Sequence, residues 1–166
     1  MTRNAIVDAL GVLKAGRIVD LTHLVHPGIQ RFGPFPAMRT EPRYTVAESG
    51  FHVEQVSFVT QYGTHVDAPE HFVEGRRTLE RIELEERGVM AVGHETLDTD
   101  GSADVRARGF LDCEKYVLES DHYQVEVMAN LDKLPSTGGV IFVGLPKFDK
   151  FPGFPVCAWA VVPNED

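Results

Sequence analysis

The chain is 166 residues long, 43% apolar and 25% charged, which suits one globular domain over residues 1–166 and leaves no room for a second core. Twenty-five acidic residues against sixteen basic ones give a formal charge of -9, and the basic residues are scattered, so nucleic acid and anionic membranes are excluded as partners. No apolar run approaches the ~20 residues that cross a bilayer, and Asp8 and Lys14 break the apolar stretch a signal peptide needs, so a cytoplasmic location is expected.

In chain order, Ile6, Val7, Leu10 and Leu13 recur at helical spacing and predict a helix over residues 5–13, stopped at Gly16. Residues 17–23 read as a strand entering a loop, because Pro27-Gly28 punctuates it. Residues 28–42, with Phe32 and Phe35 between prolines, predict an ordered loop without regular structure, either a surface connection or a wall facing a substrate. Alternation over residues 51–62 predicts a half-buried strand ending at Gly63. Residues 78–87 predict a short helix capped by Thr78 with Glu80, Glu83, Glu85 and Glu86 towards solvent. Residues 89–92 predict a brief buried strand, residues 111–119 a helix, residues 123–128 a strand and residues 130–135 a turn. Residues 140–145 are uniformly apolar, which implies a strand covered on both faces. Residues 156–162 form the last predicted strand, with Trp159 packed among apolar neighbours. Helices and strands mix without a regular β-α-β repeat, so the class is mixed α/β (α+β).

Several chemistries drop out. Cys113 and Cys157 have no C-x-x-C spacing and read as free thiols. Serine-nucleophile elbows and phosphate or dinucleotide glycine fingerprints are missing. Asp98, Asp100, Ser102 and Asp104 alternate like a calcium loop, but the glycine is misplaced and position twelve is Gly109, so a solvated acidic turn is the better reading. The remaining chemistry is metal-assisted. The densest run of ligand types is Gln61-Tyr-Gly-Thr-His65-Val-Asp67-Ala-Pro-Glu-His71. In an extended segment His65 and Asp67, two apart, leave the same face and can converge on one ion. Gln61 could add a third donor, and Pro69 breaks the strand so that His71 can swing back over the site. Two histidines, a carboxylate and an amide oxygen suit a divalent metal with an open position. The same spacing also fits a core histidine bonded to backbone, with Asp67 capping a turn.

This run resembles the signature His-x-Gly-Thr-His-x-Asp-x-Pro-x-His of the cyclase family of metal-dependent hydrolases, which includes bacterial kynurenine formamidase and isatin hydrolase. Asp20-Leu-Thr-His23, Gly93-His-Glu-Thr-Leu-Asp-Thr-Asp100, Glu126 with Ala129-Asn-Leu131, and Gly153-Phe-Pro-Val-Cys-Ala158 extend the resemblance over most of the chain. The resemblance implies a single-domain swivelling β/β/α fold with a central mixed sheet, and one divalent ion, manganese or zinc, held by His65, Asp67 and Gln61. It further implies His71 and Glu126 as the proton-handling catalytic pair. His23 and His94 are expected at the pocket, where Phe32 and Phe35 would line an aromatic substrate. The expected activity is hydrolysis of a small aromatic amide, arylformamidase-like and of the kind used in tryptophan catabolism, by a homodimer or homotetramer.

Two positions depart from the family pattern. Gln61 stands where the family has its first histidine, which favours manganese over zinc, and Glu114 stands where the formamidases have a further histidine. The stretch joining Arg81 to Val92 is also short, as though two strands and a helix were missing, which predicts exposed edges and apolar surface. These departures motivate a second reading, a degenerate non-catalytic member that binds a small ligand or a partner subunit.

Overall fold

A computed structural model describes residues 3–82 and 91–164. Its order is α1 (Arg3–Ala15), β1 (Arg17–Asp20), β2 (Arg39–Tyr44), α2 (Val46–Ser49), β3 (Val53–Ser57), β4 (His65–Asp67), β5 (Ala91–Gly93), α3 (Ser102–Arg108), α4 (Asp112–Glu119), β6 (Tyr123–Glu126), β7 (Val140–Gly144), β8 (Gly153–Pro155) and β9 (Cys157–Val162). Short 3-10 turns lie at Pro69–His71, Leu79–Arg81 and Leu131–Lys133.

Three sheets result: β1-β9-β7, antiparallel throughout; the hairpin β2-β3; and β5-β6-β4-β8, which is mixed because β5 runs parallel to β6. The core forms between the first and third sheets. Val19, Ala158, Ala160 and Val162 come from one, Val66 and Val125 from the other, and Leu21, Val156 and Met128 join them. Period-two alternation then sends the neighbours of Val66 and Val125 to the opposite face of the mixed sheet. There α4 packs against β6 and the Pro69–His71 turn, burying Glu114 and Leu118, four apart on one side of the helix. Sheet, sheet and helix are the three layers expected, and the mixed α/β class is borne out.

Several expectations need correcting. The loop over residues 28–42 ends early, because residues 39–42 already belong to β2; Pro42 is tolerated beside an irregularity in register between Pro42 and Tyr44. Its partner β3 is shorter than predicted and exposed at every residue, so the alternation marks a solvent-facing hairpin, not a half-buried strand. Thr78 sits at an N-cap position, but its hydroxyl donates to Glu80 Oε1 (2.7 Å) and caps no backbone N–H. The rest of the predicted helix and the start of the predicted strand at residues 89–92 lie outside the described residues, as does most of the shortened join. Val92 is exposed, since β5 is an edge strand. The acidic turn at residues 98–104 runs into a helix, α3, ended by Gly109 in the left-handed region. Strand β7 is covered only in part: Val140 on the outer face and Ile141, beside Ala160 on the inner face, are both exposed, and Trp159 stacks on Phe142 on the outer side (5.4 Å between centroids). Among the described residues no helix is long and apolar enough to cross a membrane.

Leu118 fixes α4 over the mixed sheet. Leu118→Ala is expected to lower the unfolding free energy by about 2–5 kcal/mol, read by urea denaturation with circular dichroism; an unchanged midpoint would mean that α4 is not part of the cooperative unit.

Candidate metal centre

The site is built by one register. In the β4–β6 pair His65 stands opposite Glu126 and Asp67 opposite Gln124, so four polar side chains leave the same face while Val66 and Val125 enter the core. All four are buried, and Glu114 closes the cluster from α4. His65 Nε2 lies 3.5 Å from Asp67 Oδ2 and 3.7 Å from Glu126 Oε2. His71 Nε2 lies 3.9 Å from both Asp67 Oδ1 and Glu114 Oε1. Two ligand groups thus share Asp67: His65 with Glu126, and His71 with Glu114.

Hydrogen bonds set the protons. His65 Nδ1 donates to the carbonyl of Gly63 (2.8 Å), because a carbonyl can only accept; the Nε2 lone pair of the neutral ring is left facing the carboxylates. Gly63 has φ 64°, and any side chain there would collide with Ile29, so glycine is required at the residue that orients His65. Gln61 turns its amide NH2 inward, to Asp67 Oδ1 (3.1 Å) and His71 Nδ1 (3.4 Å), while its oxygen accepts from Thr60. An amide NH2 can only donate, so His71 carries its neutral-state proton on Nε2, facing Asp67 and Glu114. Placed this way, Gln61 acts on the carboxylate and on His71 through its nitrogen.

Sequence reasoning missed Gln124, which is fully buried and donates to Glu126 Oε1 (2.9 Å) and Asp67 Oδ2 (3.4 Å). Thr99 donates to its oxygen (2.8 Å) and meets His94 Nε2 at 3.0 Å, which links His94 to the cluster; His94 Nε2 is also 3.8 Å from Glu126 Oε1. The position of Gln124 two residues before Glu126 on a strand was the available signal. Asp100, at the end of the acidic run, accepts from the backbone N–H groups of Cys113 and Glu114 and so anchors the start of α4. His23 instead bonds the Met128 carbonyl (3.1 Å) and lines a polar cavity of about 480 Å³ with Glu95 and Asn130. Phe32 and Phe35 pair edge to face (5.2 Å) in a loop that Tyr62 holds through its hydroxyl, which meets the carbonyls of His26 and Pro27 and the Met38 N–H. Phe72 bridges His71 and Phe110 (5.0 and 5.8 Å).

Burial dominates the electrostatics. It pushes Glu126 up to about 10 and Glu114 up to about 8, with the negative charge of Asp67 adding to both. Burial would also raise Asp67, but the neighbouring His65 outweighs it and holds Asp67 at about 2. His65 is raised for the reciprocal reason, Asp67 overcoming the burial that by itself lowers it. His94 is lowered by burial. Glu114 Oε2 is buried without a hydrogen-bond partner. An unpartnered buried carboxylate oxygen, two glutamates held protonated and an imidazole nitrogen facing them fit a divalent cation, which would replace the protons they carry.

The family model described as Putative cyclase matches residues 19–88, the segment holding Gln61, His65, Asp67 and His71. An isatin hydrolase bound to the product analogue thioisatinate superposes with a TM-score of 0.83 at 15% identity, over 99% of this chain and 100% of that one. Isatin hydrolase A from Labrenzia aggregata, bound to benzyl benzoate, gives 0.81 at 19% identity over 97% and 99%. A predicted metal-dependent hydrolase from Bacillus stearothermophilus gives 0.66 at 12% identity over 88% and 98%. No curated protein matches the sequence. The resemblance read from the signature is borne out: its segment carries the cyclase match, and the chain has the isatin hydrolase fold.

Two outcomes are expected. Between about pH 5 and pH 8 the ion-free fold binds protons at Glu114 and Glu126 that the unfolded chain releases near the usual 4.5. Their contribution is full below that value and lost as pH rises, by on the order of 1 kcal/mol per pH unit for each group. His65, raised, acts in the same direction, whereas the contribution of Asp67 is lost only as pH falls towards 2. The melting temperature in EDTA should therefore fall by more than about ten degrees across that window, and added Mn²⁺ should restore more at pH 8 than at pH 5; a rising ion-free melting temperature would show the glutamates ionised. Separately, a Cβ at Gly153 would lie 2.6 Å from the Val66 carbonyl and 2.8 Å from Asp67 Oδ1. Gly153→Ala should cost about 1–3 kcal/mol in urea and weaken Mn²⁺ binding at least tenfold by calorimetry.

Proposed function

We propose that this chain is a metal-dependent hydrolase that opens the carbon–nitrogen bond of a small aromatic amide, an aryl formamide or a lactam such as isatin. The buried cluster of His65, Asp67, Glu114 and Glu126 carries the reading, since burying this many acids is costly unless a cation is to be held among them. The isatin hydrolase fold and the signature segment support it.

His65, Asp67 and Glu126 would hold the ion, with Glu114 and His71 at its flank. The three carboxylates favour a hard, oxygen-tolerant ion, so we assign manganese ahead of zinc. The bound cation supplies Lewis acidity, polarising the amide carbonyl and making water a stronger acid.

Everything else falls to side chains of this chain. His71 is the partly open member of the cluster, and its Nε2 proton faces inward, placing it to hand a proton to the departing nitrogen. Glu126, held at Oε1 by Gln124, is the second group placed to hold or accept a proton inside the site. Gln61 and Gln124 hold the two oxygens of Asp67 from opposite sides and keep it from rotating. Phe72, edge-on to His71, and Phe110 beyond it offer an aromatic wall for the ring of the substrate.

Purified protein with Mn²⁺ should hydrolyse formanilide or isatin, and EDTA should abolish turnover. His71→Ala should lower kcat by about 10²–10⁴ with Mn²⁺ affinity kept within a few-fold, whereas His65→Ala should lose both. A protein that binds Mn²⁺ stoichiometrically and turns over no aryl amide would replace this reading with the non-catalytic one.

A further inference from the structure

The acidic turn Asp98-Thr99-Asp100 reaches the metal centre from outside. Its flanks are tied down: the Asp98 carbonyl accepts from Thr96 Oγ1 (2.8 Å), and the Asp100 carboxylate accepts from the N–H groups of Cys113 (3.0 Å) and Glu114 (2.9 Å) at the start of α4. Thr99, partly buried between them, donates its hydroxyl to Gln124 Oε1 (2.8 Å), and His94 Nε2 meets the same threonine oxygen at 3.0 Å. Gln124 is fully buried, so every polar atom of its amide needs a partner. In the observed orientation all of them find one. The oxygen accepts from Thr99, and the nitrogen donates to Glu126 Oε1 (2.9 Å) and Asp67 Oδ2 (3.4 Å).

Turned over about its last bond, the amide would aim its oxygen at the two acids and leave its nitrogen facing one hydroxyl. An amide nitrogen only donates and a carboxylate only accepts, so the observed orientation suits Glu126 and Asp67 as carboxylates, the form in which they bind a cation. We propose that Thr99 is a positioning residue of the centre: its hydroxyl locks the Gln124 amide with the nitrogen towards Glu126 and Asp67, and so sets both acids for a cation in advance. The role assigned to Thr99 rests on the reading of the cluster as a metal centre. With Glu126 Oε1 taken by Gln124, Oε2 is the oxygen left towards His65 Nε2 (3.7 Å), so the lock also selects the glutamate oxygen that meets an ion beside the imidazole. Thr60 repeats the device on the other side: its hydroxyl occupies Gln61 Oε1 and turns the Gln61 nitrogen to Asp67 Oδ1 (3.1 Å). Asp67 is thus held at both oxygens by amides whose own oxygens are filled by threonines.

Mn²⁺ affinity, measured by calorimetry on the purified full chain with no substrate present, tests this role. Thr99→Val keeps the branched shape and removes the donor, and it should weaken binding about tenfold or more. Thr99→Ser keeps a hydroxyl and should stay within about threefold of wild type. In the Gln124→Met background, which has no amide to orient, Thr99→Val should change the affinity less than about twofold, because the effect runs through Gln124. Each variant is checked for a wild-type circular dichroism spectrum, and Thr99→Ala takes the place of Thr99→Val if the latter does not fold. Folded Thr99→Val protein that binds Mn²⁺ as tightly as wild type, or that loses as much affinity in the Gln124→Met background, would overturn the inference. A wild-type chain that binds no Mn²⁺ would overturn the metal-centre reading and this role with it, so the wild-type titration alone tells the two failures apart.

Discussion

The centre depends on the cross-strand register of β4 and β6. With His65 opposite Glu126 and Asp67 opposite Gln124, the four polar groups share one face and the two valines between them share the other. A slip of one residue would turn Val66 and Val125 towards the site and bury the acids in the core, so register and site stand or fall together. Strand β8 pins β4 from the other side, pairing Gly153 with Asp67, and α4 can lie over the acids only because they emerge on its side.

That arrangement sets a charge problem which the surrounding hydrogen bonds partly solve. Asp67 accepts from Gln61 and Gln124 and faces His65, so it keeps its charge. Glu126 receives one bond from Gln124, and Glu114 Oε2 receives none. Burial beside a fixed negative charge leaves protonation as the ion-free solution for both. The same groups are stable as carboxylates only with a cation among them, which ties metal affinity, proton release and fold stability to one set of atoms. Immediately after Glu126, Val127 adopts a positive φ of 52°, rare for a β-branched residue. Its N–H is held by the Thr96 carbonyl and its own carbonyl by Thr64 Oγ1 (2.6 Å). Two such anchors fix the turn that ends β6 at Glu126.

The sequence was legible where spacing and chemistry coincide. His65 and Asp67 two apart on a strand follow from period-two geometry, a proline-broken turn returns His71, and the structure places both histidines within reach of Asp67. Residues brought in from distant segments were harder. Gln124 is an ordinary amide until β6 pairs with β4, and Glu114 is one acid of a polar helix until α4 docks. Gln61 was read as an oxygen donor because its type allows it, whereas its nitrogen faces the site because Thr60 occupies its oxygen. The errors in the fold have a common cause: apolar alternation in β3 and the apolar run of β7 report side chains suited to burial, and pattern alone does not say whether this chain provides the cover.

Exposure of that kind has structure of its own. Among the apolar residues of β1, β7 and β9, Val19, Ala158, Ala160 and Val162 face the core, Ile18, Trp159 and Val140 face outward, and Ile141, beside Ala160 on the inner side, is exposed. In an antiparallel sheet wetted on its outer face, polar residues would stand at those outer positions, as they do on one side of the β2-β3 hairpin, where Arg43 meets Glu41 and Gln55. The outer face of β1-β9-β7 breaks that rule along a continuous row reaching an apolar groove beside α1. Scattered exposed apolar residues need no explanation, but a row aligned by strand pairing and flanked by an apolar helix is a contiguous patch. The buried acidic cluster lies beyond the core, on the far face of the mixed sheet, so the two sheets differ in kind: the inner one buries charge that protons or a cation must neutralise, and the outer one carries an exposed apolar row.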